Sequence, residues 1–86
     1  MTIYWVEYTP AAARQIRKLN KTIQARLKSK IAILSENPRP PDSKKLKGFE
    51  NSYRIRVGDY RVIYEIHDDV LLVLIMRVGP RRNIYH

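Results

Sequence analysis

The feature that most constrains this fold lies at residues 52–66, where two alternating strands flank a two-residue turn, Gly58-Asp59. A two-residue loop that contains glycine is a preferred connection for a tight β-hairpin, and it fixes the register of the two strands. Val57 should then lie opposite Tyr60, and Arg56 opposite Arg61. Three further pairs continue the register: Ile55 with Val62, Arg54 with Ile63, and Tyr53 with Tyr64.

Side chains alternate along a strand, so this register sorts the hairpin into two faces. One face is apolar and aromatic and is suited to lie against helices; it comprises Tyr53, Ile55, Val57, Tyr60, Val62 and Tyr64. The other face gathers Arg54, Arg56 and Arg61, and we call it the arginine face. The hairpin therefore predicts one core-facing and one strongly basic side.

The chain before the hairpin predicts a strand followed by two helices. Residues Ile3–Tyr8 are rich in aromatic and branched side chains, which favour a strand. Thr9 is a good N-cap, and the proline after it suits the first helical position, so a helix should span about Pro10–Leu19. A second helix should span about Lys21–Glu36, with an apolar stripe of Ile23, Leu27, Ile31 and Leu34.

The remaining segments complete one small α+β domain over residues 1–86. The proline-rich segment 37–41 ends the second helix, and a loop to about Asn51 should follow. After a turn at Asp68-Asp69, the apolar run Val70–Met76 is typical of a central strand that is buried on both sides. The predicted architecture is a two-helix hairpin packed on a mostly antiparallel four-stranded sheet.

The charge balance points to a polyanionic partner. There are 17 Lys and Arg against 8 Asp and Glu, a formal net charge of +9. The absence of an apolar run near 20 residues, of a leader segment and of cysteine predicts a soluble cytoplasmic protein, with no membrane partner. The two histidines, His67 and His86, are far apart in sequence, so no metal site and no cofactor is expected.

Two interpretations of the arginine face remain open. Like charges directly opposite each other weaken a strand pair, so Arg56 facing Arg61 indicates a function. Arginine grips phosphate through a planar fork of donors and can stabilise developing negative charge. The alternative is that the arginines only decorate the water-facing side of a small sheet. The lysines of the preceding loop, Lys44, Lys45 and Lys47, are equally open to a solvating role or to RNA binding.

The order of these pieces resembles the RelE toxin family of bacterial and archaeal toxin–antitoxin systems, within the wider RelE/ParE superfold. The resemblance covers nearly the whole chain and rests on three motifs: Lys45-Leu46-Lys47-Gly48, the segment Tyr53–Tyr64, and Val78-Gly79-Pro80-Arg81. It implies a ribosome-dependent endoribonuclease that cleaves mRNA in the decoding site of the 30S subunit, beside the 16S rRNA. It also implies restraint by a cognate antitoxin protein.

The resemblance assigns roles to individual residues. It implies a catalytic set of Arg54, Arg56, Arg61, Arg81 and Tyr85. The residues expected to bind RNA and the ribosome are Lys44, Lys45, Lys47, Arg77 and Arg82.

This chain departs from the family at two of these positions. Typical members carry lysines where Arg54 and Arg56 stand, and arginine practically never loses its proton. Attack by the 2′-hydroxyl, which yields a 2′,3′-cyclic phosphate and a 5′-hydroxyl, still needs a base. Tyr85 is the first candidate, because surrounding cations favour an ionised phenol; a lysine of the 44–47 loop or His86 is the reserve.

Two other functions fit the same sequence. A ParE-like toxin would share the fold but poison DNA gyrase without a nuclease site. A catalytically silent module would bind RNA or ribosomes and leave messages intact.

Overall fold

A computed structural model describes residues 3–80. The elements in chain order are β1 Trp5–Tyr8, α1 Pro10–Arg17, α2 Lys21–Ile33, β2 Lys44–Lys45, β3 Ser52–Val57, β4 Tyr60–His67, a 3₁₀ turn Asp68–Val70, and β5 Leu72–Pro80. None of the helices in this part of the chain is long and apolar enough to cross a membrane.

Both helices begin at the predicted caps. The Thr9 hydroxyl accepts a hydrogen bond from the Ala12 N–H at 3.1 Å, and the Asn20 side chain accepts one from the Ile23 N–H at 2.9 Å. Each helix ends before its predicted end. After Ile33 the backbone N–H groups bond to carbonyls three residues back, as in Glu36 N–H to Ile33 O at 3.1 Å, so the last predicted turn is tighter than an α-helix.

The sheet has five strands in the order β1-β5-β4-β3-β2, so the predicted count of four is wrong. The extra strand is β2, which lies within the predicted loop and pairs antiparallel with β3: Lys44 opposite Arg54, and Lys45 opposite Tyr53. Only β1 runs parallel to its neighbour, β5. The sheet of the described residues is therefore mixed but mostly antiparallel, as predicted.

The hairpin register is confirmed at every predicted pair, including Arg56 opposite Arg61 and Val57 opposite Tyr60. Gly58 has φ +60° whereas Asp59 has a negative φ, which is the pattern of a II′ turn. Glycine adopts that φ at little cost, so the turn matches the twist of the strands.

A β-bulge in β5 was not predicted. Ile63 pairs with Arg77 while the next residue, Tyr64, pairs with Ile75, so Met76 is the extra residue. The bulge shifts the alternation of side chains by one. The strand itself, predicted to end at Met76, continues to Pro80. Ile75 and Val78 both stay in the core, and Arg77 between them is exposed.

The core lies between the two helices and one face of the sheet. The helices contribute Ala12, Ile16, Leu27, Ile31 and Leu34, and the sheet contributes Ile55, Val62, Tyr64, Ile66, Val73, Ile75 and Val78. Two side-chain hydrogen bonds hold neighbouring parts of the fold to the sheet. Gln15 Oε1 on α1 accepts from the Val78 N–H on β5 at 2.7 Å, and the Tyr64 hydroxyl on β4 donates to the carbonyl of Pro38, in the segment after α2, at 2.7 Å. Burial raises the pKa of Tyr64 to about 12, which keeps its phenol protonated as a donor.

A polar clamp holds the proline-rich segment against the end of the sheet. The Arg39 guanidinium donates to Asp68 Oδ2 at 2.8 Å and to the Tyr53 hydroxyl at 3.2 Å. The Tyr4 hydroxyl donates to Asp68 Oδ1 at 2.6 Å. These contacts, with the Tyr64 bond, fix the segment that leads into β2.

Candidate nucleic-acid interface

The arginine face lies on the side of the sheet away from the helices. Arg54 and Arg56 project from β3 and Arg61 from β4, and the confirmed register places all three on this side. Arg56 is exposed and Arg61 is half-buried. Arg54 is only 8% exposed, so the alternative interpretation, in which the arginines only decorate a water-facing side, does not describe it.

A row of residues crosses the arginine face from the edge strand β2 to β5. Lys44 on β2 pairs with Arg54, Arg54 pairs with Ile63, and Ile63 pairs with Arg77 on β5. Side chains directly opposite each other in antiparallel strands lie about 5 Å apart at their Cβ atoms. The sheet thus brings together three cations that are widely spaced in sequence.

The bulge accounts for the place of Arg77 in this row. Without the extra residue, Arg77 would share a face with Ile75 and point into the core, because residues two apart lie on one side of a strand. The burial pattern of β5 reflects this shift: the buried residues Val73, Ile75 and Val78 are spaced by two and then by three.

The register separates one of the other loop lysines from the arginine face. Lys45 pairs with Tyr53, so it projects from the opposite side of the sheet edge. Lys45 and Lys47 instead line an open depression of about 490 Å³ together with Leu46, Gly48, Phe49 and Glu50. Of the three lysines, Lys44 is the one that the register brings beside Arg54.

An apolar depression of about 320 Å³ lies next to the arginines. Its lining comprises Leu46, Phe49, Ser52, Ile63, Glu65, Met76 and Arg77. Phe49 is 62% exposed and offers a ring on which a nucleobase can stack. Sequence reasoning missed Phe49, although an aromatic residue in a lysine-rich loop is a signal for nucleic-acid binding.

The electrostatics of this face favour an anion. None of the ion pairs formed among residues 3–80 includes Arg54, although most of its surface is removed from water. A partly desolvated cation without a counter-charge is costly, and a phosphate would supply that charge. The arrangement can therefore hold a phosphodiester and stabilise negative charge that develops on it.

Several predicted site residues lie outside the described residues: Arg81, Arg82, Tyr85 and the reserve base His86. Within residues 3–80, no three His, Asp or Glu side chains come together as metal ligands.

Comparison with known proteins identifies one toxin family over nearly the whole chain. Residues 6–85 match a family model described as the ParE toxin of the parDE type II toxin–antitoxin system. The chain is 31% identical to the mRNA interferase toxin RelE of Escherichia coli strain K12 over 82 residues, covering 93% of this chain and 85% of that protein.

The fold agrees with solved structures of similar proteins. The structure superimposes with a TM-score of 0.83 on a chain of the archaeal RelE–RelB complex from Pyrococcus horikoshii, at 32% identity, covering 96% of this chain and 99% of that one. It superimposes with a TM-score of 0.81 on a chain of the intact RelBE toxin–antitoxin complex of Escherichia coli, at 29% identity, covering 93% and 99%.

Proposed function

Because this chain belongs to the RelE/ParE family of toxins from type II toxin–antitoxin systems, we propose that it is a ribosome-dependent mRNA endoribonuclease. It acts in the cytoplasm, where it cleaves mRNA in the A site of the 30S subunit and so stops translation. The relative named mRNA interferase supports the nuclease assignment.

The observation that carries the proposal is the arginine face. Arg54 is 8% exposed and belongs to no ion pair of the described chain, and two further arginines share its side of the adjacent strands. A ParE-like gyrase poison has no need for a desolvated cation beside two more. A nuclease does, because the phosphorane formed during cleavage carries extra negative charge.

The arginines supply charge stabilisation and not base catalysis. The 2′-hydroxyl attacks the neighbouring phosphorus and its proton passes to a base. The bond from phosphorus to the 5′-oxygen then breaks, and that oxygen takes up a proton from the protonated base or from solvent. The products are a 2′,3′-cyclic phosphate and a 5′-hydroxyl. A guanidinium stays protonated throughout, so Arg54, Arg56 and Arg61, with Arg81, grip the phosphate oxygens as charge builds up on them.

We assign the role of general base, which accepts the proton of the 2′-hydroxyl, to Tyr85. A lysine of the 44–47 loop is the alternative base. Among the three loop lysines Lys44 is the stronger reserve, since it pairs with Arg54 across β2 and β3 while Lys45 projects to the other side. His86 remains a further reserve. Arg77 and the loop lysines, with Arg82, then hold flanking phosphates.

The dependence on the ribosome follows from this sparse site. Arginines cannot orient a flexible message for in-line attack, and correct positioning contributes up to several powers of ten in rate. The ribosome supplies that positioning by holding the codon. Free RNA is therefore a poor substrate.

The second partner is a cognate antitoxin. Solved structures similar to this chain include RelE–RelB complexes, which supports a protein inhibitor for this toxin. Acidic residues of the antitoxin would cover basic surface, and a helix or an added strand would lie along the domain.

Gyrase inhibition is the second candidate, since the matching family model is described as a ParE toxin. One experiment separates the two functions. Purified protein is added to programmed ribosomes, to the same mRNA alone, and to gyrase in a supercoiling assay. We expect codon-positioned cuts with cyclic phosphate ends on ribosomes only.

The variant Arg26→Met, which removes an exposed cation of α2 away from the arginine face, should behave like the wild type in all three assays. Loss of supercoiling with intact messages would replace the nuclease with the gyrase poison. Ribosome binding without cuts or gyrase inhibition would indicate a silent module.

A further inference from the structure

The helical hairpin carries positive charge without acidic residues. Residues 9–35 contain no Asp or Glu. Seven cations lie in this segment: Arg14, Arg17, Lys18, Lys21, Arg26, Lys28 and Lys30. A surface helix in solvent is ordinarily supported by mixed charges that pair three or four residues apart. The one-sided charge calls for another explanation.

These cations are largely uncompensated in the described part of the chain. Lys30 contacts Asp42 at 3.0 Å, and no other helical cation of residues 3–80 is in an ion pair. Lys21 occupies the first position of α2, at the positive end of the helix dipole, and neither helix has an acidic residue in its first turn. This arrangement disfavours helix formation, so stability does not account for it.

Two of the cations edge a cleft between α1 and α2. The cleft has a volume of about 370 Å³ and is lined by Tyr8, Ala13, Ile16, Arg17, Gln24 and Lys28. Gln24 is held in place because its Nε2 donates to the Leu19 carbonyl at 2.7 Å. Tyr8, 37% exposed, closes the cleft from the end of β1.

The cleft lies on the opposite side of the molecule from the arginine face. Tyr8 lies two residues after Val6 on β1, so the two side chains share a face of the sheet. Because Val6 packs against the core, the ring of Tyr8 belongs to the helix side. The protein therefore carries cations on both outer surfaces, with the core between them.

We propose that the cleft between α1 and α2 binds the phosphate backbone of folded ribosomal RNA, through Arg17 and Lys28, while the arginine face holds the message. This inference rests on the proposed function, since it assumes a toxin that works on the ribosome. Phosphate contacts fix the orientation of a protein on nucleic acid without reading its sequence. With one basic surface on ribosomal RNA and the other on the message, the domain would lie between the two RNAs.

The dimensions of the cleft favour RNA over an acidic protein. A bound helix needs a groove that accommodates a cylinder about 10 Å wide with several apolar anchors. A cleft of about 370 Å³ that ends at an exposed tyrosine fits a phosphate and the base next to it. Burial raises the pKa of Tyr8, so the ring stays neutral and accepts a stacked base without repelling phosphate.

A pair of double variants tests the cleft with equal changes of charge. Arg17→Gln with Lys28→Gln removes the two cations that edge it. Arg26→Gln with Lys30→Gln removes one arginine and one lysine from the other side of α2, where they line a different depression beside Val57. Both pairs lie outside the arginine face, and circular dichroism verifies that each variant is folded.

Affinity for purified 30S subunits is measured between 50 and 200 mM KCl for the wild type and both variants. We expect the Arg17/Lys28 variant to bind at least about tenfold more weakly at 100 mM. The plot of its log affinity against log salt should become shallower, with the magnitude of the negative slope smaller by about 1.4–1.8, the value for two lost phosphate contacts. The Arg26/Lys30 variant should keep a slope within about 0.5 of the wild type.

Three results would overturn the inference. Equal loss in the two variants would mean that net charge alone matters. Poly-glutamate serves as a model acidic ligand in a parallel binding assay. If the Arg17/Lys28 variant loses poly-glutamate binding but keeps its affinity for 30S subunits, the cleft binds an acidic protein. If the wild type itself fails to bind 30S subunits, the proposed function falls with the inference, whereas the first two results leave ribosome-dependent cleavage standing.

Discussion

The single substitution Arg54→Met should raise the stability of the fold and greatly slow the cleavage of mRNA. Arg54 is 8% exposed and lies outside the ion pairs of residues 3–80. Methionine keeps most of the buried stem and removes the charge, so packing is largely retained. The same change relieves repulsion from its charged neighbours on the arginine face.

The expected gain is about 1–2 kcal/mol in the free energy of unfolding, within the range from neutral to about 4 kcal/mol that is found when a buried ion pair is replaced by apolar groups. For a domain of this size that corresponds to a rise in Tm of about 4–16 °C. Cleavage on programmed ribosomes should fall about 100- to 1000-fold, the loss for one preorganised donor.

Thermal melts and single-turnover cleavage of the same preparation measure both quantities, with Arg26→Met as the control that should change neither by much. A destabilised Arg54→Met protein would show that the native fold uses the charge. Near-normal cleavage by a stabilised one would remove Arg54 from the site.

Three further outcomes are expected. Tyr64→Phe should lower the free energy of unfolding by about 1–2 kcal/mol in urea, because it leaves the buried Pro38 carbonyl without its 2.7 Å donor; an unchanged midpoint would contradict this role. The Arg39 guanidinium and Tyr4 hydroxyl hold the pKa of Asp68 below its usual value, so Asp68 stabilises the fold above that value and the contribution is lost as pH falls through the lowered pKa. Asp68→Asn should therefore destabilise at pH 7 and match the wild type once the pH lies below the lowered pKa of Asp68, and a difference that persists after the carboxyl is protonated would refute the ionic origin. Tyr85→Phe should slow cleavage about 100-fold with ribosome binding intact; near-normal cleavage would pass the role of base to a lysine or His86.

The local hairpin could be predicted in full from sequence. A glycine turn between alternating strands leaves one register that buries Ile55 and Val62 together, and the structure has that register. The two helix starts were equally accessible, because Thr9 and Asn20 cap through bonds to residues three positions away. Contacts of this kind depend on neighbours in sequence.

The rest depends on contacts between distant residues. Two consecutive lysines show no alternation of apolar and polar residues, so the sequence of β2 does not predict a strand. The strand forms through its pairing with β3, which lies several residues later in the sequence. Alternation assigns Arg54 to a face but does not tell how far its neighbours cover it. The continuous apolar run before Arg77 hides the bulge, because every position there is compatible with either side of the sheet.

The central claim is that the arginine face stabilises charge on a phosphate during cleavage, and Arg61 tests it most directly. Single-turnover cleavage of mRNA on programmed ribosomes is measured for wild type, Arg61→Ala and Arg61→Lys, with ribosome binding determined separately. We expect a loss of about 100-fold or more in the rate for alanine and partial rescue by lysine, which keeps the charge but not the bidentate fork. Cleavage by a folded, ribosome-bound Arg61→Ala protein at the wild-type rate would contradict the account.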